Sequence, residues 1–214
     1  MRYVIIFIGI LLLSVQDGFG TAQIPDYIIY KGEKYFLHSN PLEKYFAKYP
    51  NKRPQSKIRS TGLWRGYKAT FKIQDETLLV KDIEIQVQVN GDYKWRSVIQ
   101  KVFPNKASRK LLWYKGILVM PHGKMINYVH MGYGSTYEKY TLLEIKEGKL
   151  KRTKRMNYKK YSEFKQKQFE AFKKTKKYQQ LVKDLQKDGD YGLEFIDSFL
   201  KNAIINYTAE FLDD

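Results

Sequence analysis

The stretch LWRGYKATFKIQDETLLVKDIEIQVQV, Leu63 to Val89, constrains the fold more than any other part of the chain. Tyr67, Ala69, Phe71 and Ile73 alternate with Lys68, Thr70 and Lys72. Beyond the polar break Gln74-Asp75-Glu76, Ile83, Ile85, Val87 and Val89 alternate with Asp82, Glu84, Gln86 and Gln88. Successive side chains of a strand point to opposite faces, so this alternation on both sides of a short polar turn specifies an antiparallel pair with one buried face. The outer faces then set Lys68 and Lys72 against the strand of Asp82 and Glu84. Cross-strand pairing accounts for these two carboxylates without an acid–base role. Two acids at i and i+2 on an outward face also lack the cleft that glycoside hydrolysis requires.

Further hairpins follow the same logic. DYIIYKGEKYFLH turns at Lys31-Gly32-Glu33, KLLWYKGILVMP and KMINYVHMGY read as strands around Pro121-His122-Gly123, and YEKYTLLEIKEGKLKRTKRM turns at Glu147-Gly148. Between them, PLEKYFAKYP predicts one or two helical turns opened by Pro41 and closed before Pro50, and NKRPQSKIRSTG an exposed connection. In DYKWRSVIQKVFP, Trp95, Val98, Ile99 and Val102 fall at helical spacing, which predicts a short helix ending at Phe103 before Pro104. About eight short strands joined mostly by tight turns predict an antiparallel sheet or an open, curled barrel, because the helical crossovers of parallel wiring are missing.

After Met156 the period changes. Tyr158 to Asp188 contains no Gly or Pro and predicts a long helix, broken near Thr175 where the apolar stripe changes face and stopped at Asp188-Gly189-Asp190. A second helix sets Leu193, Ile196, Leu200, Ala203, Tyr207 and Phe211 along one side. Both need a surface to cover, and the sheet is the one available. Phe164, Phe169 and Phe172 are therefore assigned to the core, and the acceptor-like Asn206-Tyr207-Thr208 lies inside the second helix. The fold class is α+β, with a mainly antiparallel β domain over residues 23–156 and a helical segment over 157–214 packed on the same domain.

Residues 1–22 read as a secretory signal peptide: Met1-Arg2, the twelve-residue apolar run Val4–Val15, and Gly20-Thr21-Ala22 before Gln23. The run is well short of the ~20 residues of a spanning helix. The expected destination is the periplasm, the cell envelope or the medium, and with no cysteine in the chain stability there must come from the core alone.

The formal net charge is +17. From Lys149 to Lys187 there are 15 Lys and Arg against three acids, and from Gly189 to Asp214 six acids against Lys201. A basic block ahead of an acidic one permits complementarity within the chain or with an anionic envelope polymer, lipid headgroups or an acidic protein. Export disfavours nucleic acid as the partner.

STGLWRGYKATFKI with the following KDIEI, and YKGILVMPHGKMINYVHMGYGSTYEKYTLLEI, are similar to segments of a group of uncharacterised bacterial proteins. The similarity continues through FKQKQFEAFKKT to EFIDSFL, over most of the chain after residue 22. It implies a single exported bacterial unit and carries over no activity, ligand or functional residue.

The segment NYVHMGYGSTYEKY concentrates the chemistry-bearing side chains. His130, expected on a strand face with Tyr128 and Ile126, is the candidate general base of a small hydrolase, with Glu138 as its orienter or acid. Trp64, Arg65, His122, Tyr133 and Ser135 are the candidate binding residues. His38, His122 and His130 have no zinc-ligand spacing, and there is no nucleophile elbow, phosphate-cradling loop or dinucleotide fingerprint, so neither metal nor cofactor is expected. The leading reading is a non-enzymatic binding or envelope-associated protein with a basic surface. The alternatives are the hydrolase and an exported inhibitor or immunity-type protein that neutralises an acidic partner.

Overall fold

A computed structural model describes residues 21–189 and 191–212, Asp188 by its backbone only. The apolar run of the expected leader lies outside the described residues. Within them the chain is α+β. The strands are β1 (Asp26–Tyr30), β2 (Glu33–Leu37), β3 (Lys68–Gln74), β4 (Thr77–Val89), β5 (Asp92–Ser97), β6 (Gly116–Asn127), β7 (Thr136–Lys146) and β8 (Lys149–Asn157). The helices are α1 (Pro41–Lys48), α2 (Ile99–Val102), α3 (Tyr158–Lys173), α4 (Lys176–Gly189), α5 (Leu193–Asn202) and α6 (Ile204–Tyr207).

One sheet runs β2-β1-β3-β4-β8-β7-β6, with β5 pairing β4 to the side. Its hairpins β1–β2, β3–β4, β4–β5 and β7–β8 all turn on two residues with positive φ: Lys31-Gly32, Asp75-Glu76, Asn90-Gly91 and Glu147-Gly148. That backbone matches the right-handed twist of the strands it joins. At Gly148 the choice of residue is also steric, since a Cβ would stand 2.6 Å from the Leu111 carbonyl oxygen.

The sheet curls until its first and last strands approach. His38 N–H donates to Val119 O at 2.9 Å, and Ser39 Oγ accepts from Val119 N at 3.1 Å. No ladder forms between β2 and β6, so the sheet stays open. The concave face buries Ile28, Leu37, Phe71, Ile83, Leu118 and Leu143. The convex face of β6 to β8 offers Ile117, Val119, Tyr140 and Leu142, and Phe164 of α3 and Phe211 pack on it. Phe169 and Phe172 of α3 join Tyr178, Leu185, Ile196 and Leu200 in a separate core between the helices.

Two caps explain where strand gives way to helix and where the long helix breaks. Asn157 Oδ1 accepts from Lys160 N–H at 2.9 Å and starts α3 directly at the end of β8. Thr175 Oγ1 donates to Phe172 O at 2.7 Å and accepts from Tyr178 N–H at 3.2 Å, closing α3 and opening α4. Gln168, fully buried, then ties the C-terminal segment to α3: its Nε2 donates to Thr208 Oγ1 and Glu210 O, and its Oε1 accepts from Leu212 N–H.

Several local expectations are corrected. The sheet is mixed rather than wholly antiparallel, because the connection through α1 returns the chain to the far side of β1 and lays β3 parallel to it. Asp92–Ser97 is a strand, leaving only Ile99–Val102 helical. The Asn90-Gly91 turn forces the chain back along β4, and that pairing overrides the helical spacing of Trp95 and Val98. Pro121-His122-Gly123 is no turn. It is a bulge within the single strand β6, whose true hairpin loop is 128–135. His130 therefore lies in a loop and not on a strand. The second helix ends at Asn202, with a further turn at Ile204–Tyr207, and Leu193 at its start is exposed. Of the two expected outer-face lysine contacts, Lys68 meets Glu84 at 3.4 Å, whereas a bulge after Thr70 moves Lys72 opposite Leu79.

Candidate functional site

His130 and Glu138 do not meet. His130 is exposed and its Nδ1 is 2.7 Å from Tyr128 Oη, a neighbour two residues away. Glu138 lies across the β6 bulge, where its Oε2 accepts from Lys124 N–H at 3.0 Å. Gly123, at φ 80°, leaves the room for it: a Cβ there would stand 2.9 Å from Glu138 Oε2. Among the described residues no hydrogen bond joins the histidine to the glutamate. Ser135 Oγ accepts from Val129 N–H at 3.0 Å and staples the loop, and Trp64 stands exposed beyond the short helical turn Thr61–Leu63.

Two of the sequence candidates, Arg65 and Tyr133, do come together, but inside the protein. Arg65 has 2% exposure, and its Nη1 donates to Tyr133 Oη at 3.0 Å. Its Nη2 donates to Ile24 O at 2.8 Å and reaches Asp26 Oδ1 at 3.4 Å. Asp26 also accepts from Ala69 N–H at 2.8 Å and from Asn40 Nδ2 at 3.2 Å, while Asn40 Nδ2 is 3.0 Å from Tyr133 Oη. A second layer continues the network: Tyr67 Oη donates to Glu43 Oε1 at 2.8 Å, and Arg53 grips both Glu43 oxygens at 2.8 and 3.1 Å. Burial pushes the Asp26 carboxyl up against the pull of Arg65, and lifts the Tyr67 and Tyr133 hydroxyls. Against burial, Asp26 and the neighbouring tyrosines hold Arg65 more firmly charged than usual. His38 stacks on Tyr133 at 4.7 Å, and burial lowers its pKa to about 4. These groups pin the loop 128–135, β1, α1 and the start of β3 to one another. Apart from Arg65 Nε, which is buried without a hydrogen-bond partner, these groups satisfy one another and form a clamp.

The other polar cluster lies at the mouth of the curled sheet. β4 and β8 pair at a single position, Thr77 with Lys149, and β8 then runs on past the β3–β4 turn, where Leu150 N–H donates to Glu76 O. Beyond that turn a groove of about 380 Å³ is lined by Tyr30 and Lys31 at the end of β1 and by Thr153 and Arg155 of β8. In register with Thr153 and Arg155 on β7 stand Leu143 and Thr141, so alternation gives the concave face Arg155 and Thr153 from β8 and Thr141 and Lys139 from β7. His122 of β6, paired with Lys139, sets its Nε2 3.1 Å from Thr141 Oγ1 and its ring edge-on to Tyr35 at 5.7 Å. Burial lowers the His122 pKa, and the nearby charges of Lys139 and Arg155 lower it further while Glu33 opposes them. Tyr35 Oη donates to Glu33 Oε2 at 2.6 Å, and this bond raises the tyrosine's pKa. Arg155 and Lys139 are exposed, and among the described residues neither forms an ion pair.

Of this second cluster, sequence reasoning singled out His122 alone. The available signal was the alternation in KLKRTKRMN, which puts Thr153 and Arg155 on one face of a strand. What it could not supply was the partner strands. Among the described residues no group of His, Asp or Glu side chains is placed to hold a metal ion, and no helix is long and apolar enough to cross a membrane. Comparison with family models, with curated proteins and with solved structures finds no match.

Proposed function

We propose that this chain is an exported, non-enzymatic binding protein that holds an anionic polymer of the cell envelope on its basic surface. The observation that carries the reading is that, among the described residues, several exposed cations of the basic block form no ion pair. Of the acidic tail, Asp197 takes Lys173 at 2.6 Å, while Glu210 pairs with Lys115, which lies outside the block. Arg152 is held by Glu144 at 2.7 Å. Lys151 and Arg155 of β8, Lys159 and Lys160 of α3, and Lys176 and Lys183 of α4 remain exposed without an ion pair among the described residues. An excess of like charge destabilises the compact state through self-repulsion, which an anionic partner relieves. The separation of His130 from Glu138 removes the geometric support for a hydrolase. Export is carried by the leader-like layout of residues 1–22.

Retention on immobilised polyphosphate, followed as salt rises, tests the reading. Exposed charges are screened beyond about 8 Å at physiological ionic strength, so affinity is expected to fall at least about tenfold between low and physiological salt. Retention that ignores salt, or no retention at low salt, ends the electrostatic reading. Salt-sensitive capture by an acidic protein but not by the polymer would move the partner to the inhibitor class.

A further inference from the structure

We propose that the mouth of the curled sheet is a specific site for a phosphate monoester carried by the anionic partner. The inference rests on the reading that the basic surface serves such a partner, and adds where the contact is selective. Arg155 and Lys139 come from adjacent strands and share the concave face, and Lys31 closes the groove from the β1–β2 turn. Hydroxyls stand between them: Thr153 within the groove, Thr141 beside His122, and Tyr30 Oη 3.5 Å from Thr153 Oγ1. A carboxylate ligand has two oxygens and one charge, fewer than this set of cations and hydroxyls can serve. A phosphate monoester has three acceptor oxygens and a charge near −2, and the planar guanidinium of Arg155 suits two of those oxygens at once.

The rest of the groove fits the same ligand. Glu33, the carboxylate at this rim, is hydrogen-bonded by Tyr35 and so partly screened from an incoming anion. The edge-on pair of Tyr35 and His122 offers an apolar flank with polar tips, suited to a sugar or glycerol bearing the phosphate. The opening of about 380 Å³ is larger than a bare phosphate needs and leaves space for that carrier. The same cations inside the protein would be locked, as Arg65 is. Here they stand where β8 faces the β1–β2 turn, and among the described residues none of them is held in an ion pair.

The test titrates the full chain with glycerol phosphate by calorimetry and, in parallel, with vesicles carrying either phosphatidic acid or phosphatidylglycerol at equal surface charge. Arg155→Ala and Lys139→Ala are compared with Lys57→Ala, which removes an equal exposed charge outside the basic block, next to Ser56, whose Oγ donates to Gln86 O at the far end of β4. Each mouth variant is expected to weaken glycerol phosphate binding about tenfold or more, and Lys57→Ala less than about twofold, with thermal unfolding unchanged in all three. Preference for phosphatidic acid over phosphatidylglycerol assigns the monoester to a lipid, and binding of glycerol phosphate without vesicle preference assigns it to a soluble or polymer-borne ester. Equal losses in all three variants overturn the site. If the wild type is retained on polyphosphate but does not bind glycerol phosphate or distinguish the two vesicles, the site falls and the basic-surface reading stands. If it is not retained on polyphosphate either, both fall.

Discussion

The clamp around Arg65 and the mouth around Arg155 are built from the same kinds of side chain, an arginine with tyrosines, a histidine and hydrogen-bonding neighbours, and they have opposite fates. Arg65 is surrounded before solvent can reach it, and Asp26, Ile24 O and Tyr133 use its guanidinium. Arg155 stands on an exposed strand face where β8 faces the β1–β2 turn, with no ion pair among the described residues. A buried charge must have its partners in the fold, because an unpaired one costs several kcal/mol. An exposed charge is under no such demand. The difference therefore separates roles by where the sheet closes and where it splits: the closed end holds the fold, and the split end is free to bind.

The strongest way to break that comparison is to cut the clamp. Arg65→Met leaves the fully buried Asp26 carboxyl without its cation, and is expected to destabilise the protein by about 3–5 kcal/mol in urea unfolding. Adding Asp26→Asn to the same chain removes both charges and should recover much of that loss. A cost below about 1 kcal/mol for Arg65→Met would mean that water reaches the site, and the contrast with the mouth would collapse.

A smaller effect comes from His38. Its folded pKa, about 4, lies below the ordinary value of 6.5, so between those values the unfolded chain binds a proton that the folded one does not. Stability is fully present above pH 6.5, falls as pH drops, and is spent at about pH 4. The total is up to about 3 kcal/mol, less whatever the half-buried ring recovers from solvent. His38→Phe keeps the stack on Tyr133 and should flatten this part of the pH profile. His122 provides the contrast: partly open to solvent, it should contribute far less to the acid loss. Equal acid sensitivity in His38→Phe and the parent would show that the stacked ring is hydrated.

What the sequence disclosed follows the range of the interactions involved. The turns at Lys31-Gly32 and Glu147-Gly148, the alternation of Tyr67, Ala69 and Phe71, and the break at Thr175 are local signals, and they were readable. The β4–β5 hairpin was local too, at Asn90-Gly91, but the helical spacing of Trp95, Val98 and Ile99 competed with it. Asp26 and Arg65 are 39 residues apart, and nothing near either names the other. The crossover that makes β3 parallel to β1 brings them together, since it puts Ala69 N–H beside the Asp26 carboxylate. Tyr133 and Arg65 were chosen as binding residues for their chemistry, which is also the chemistry a buried clamp uses, so residue type alone did not distinguish the two. The mouth draws on β1, β2, β6, β7 and β8, and only the curl of the sheet assembles it.

The smallest expected effect concerns the segment that looked most like an active site. His130 is exposed with a single side-chain partner, Tyr128, so His130→Ala is expected to change stability by no more than about 0.5 kcal/mol. Glu138→Gln keeps an oxygen that can accept from Lys124 N–H, and a similarly small change is expected. The two residues share no partner, and perturbations of that kind add to within about 0.5 kcal/mol, so the double variant should show the sum of the single effects. The binding measured at the mouth should be untouched by either, although Glu138 neighbours Lys139 in sequence. A coupling above about 1 kcal/mol would mean that the loop 128–135 rearranges in solution to bring imidazole and carboxylate together. That result would return the pair to candidacy as general base and orienter, and would make the closed end of the molecule, rather than the split one, the place to look for chemistry.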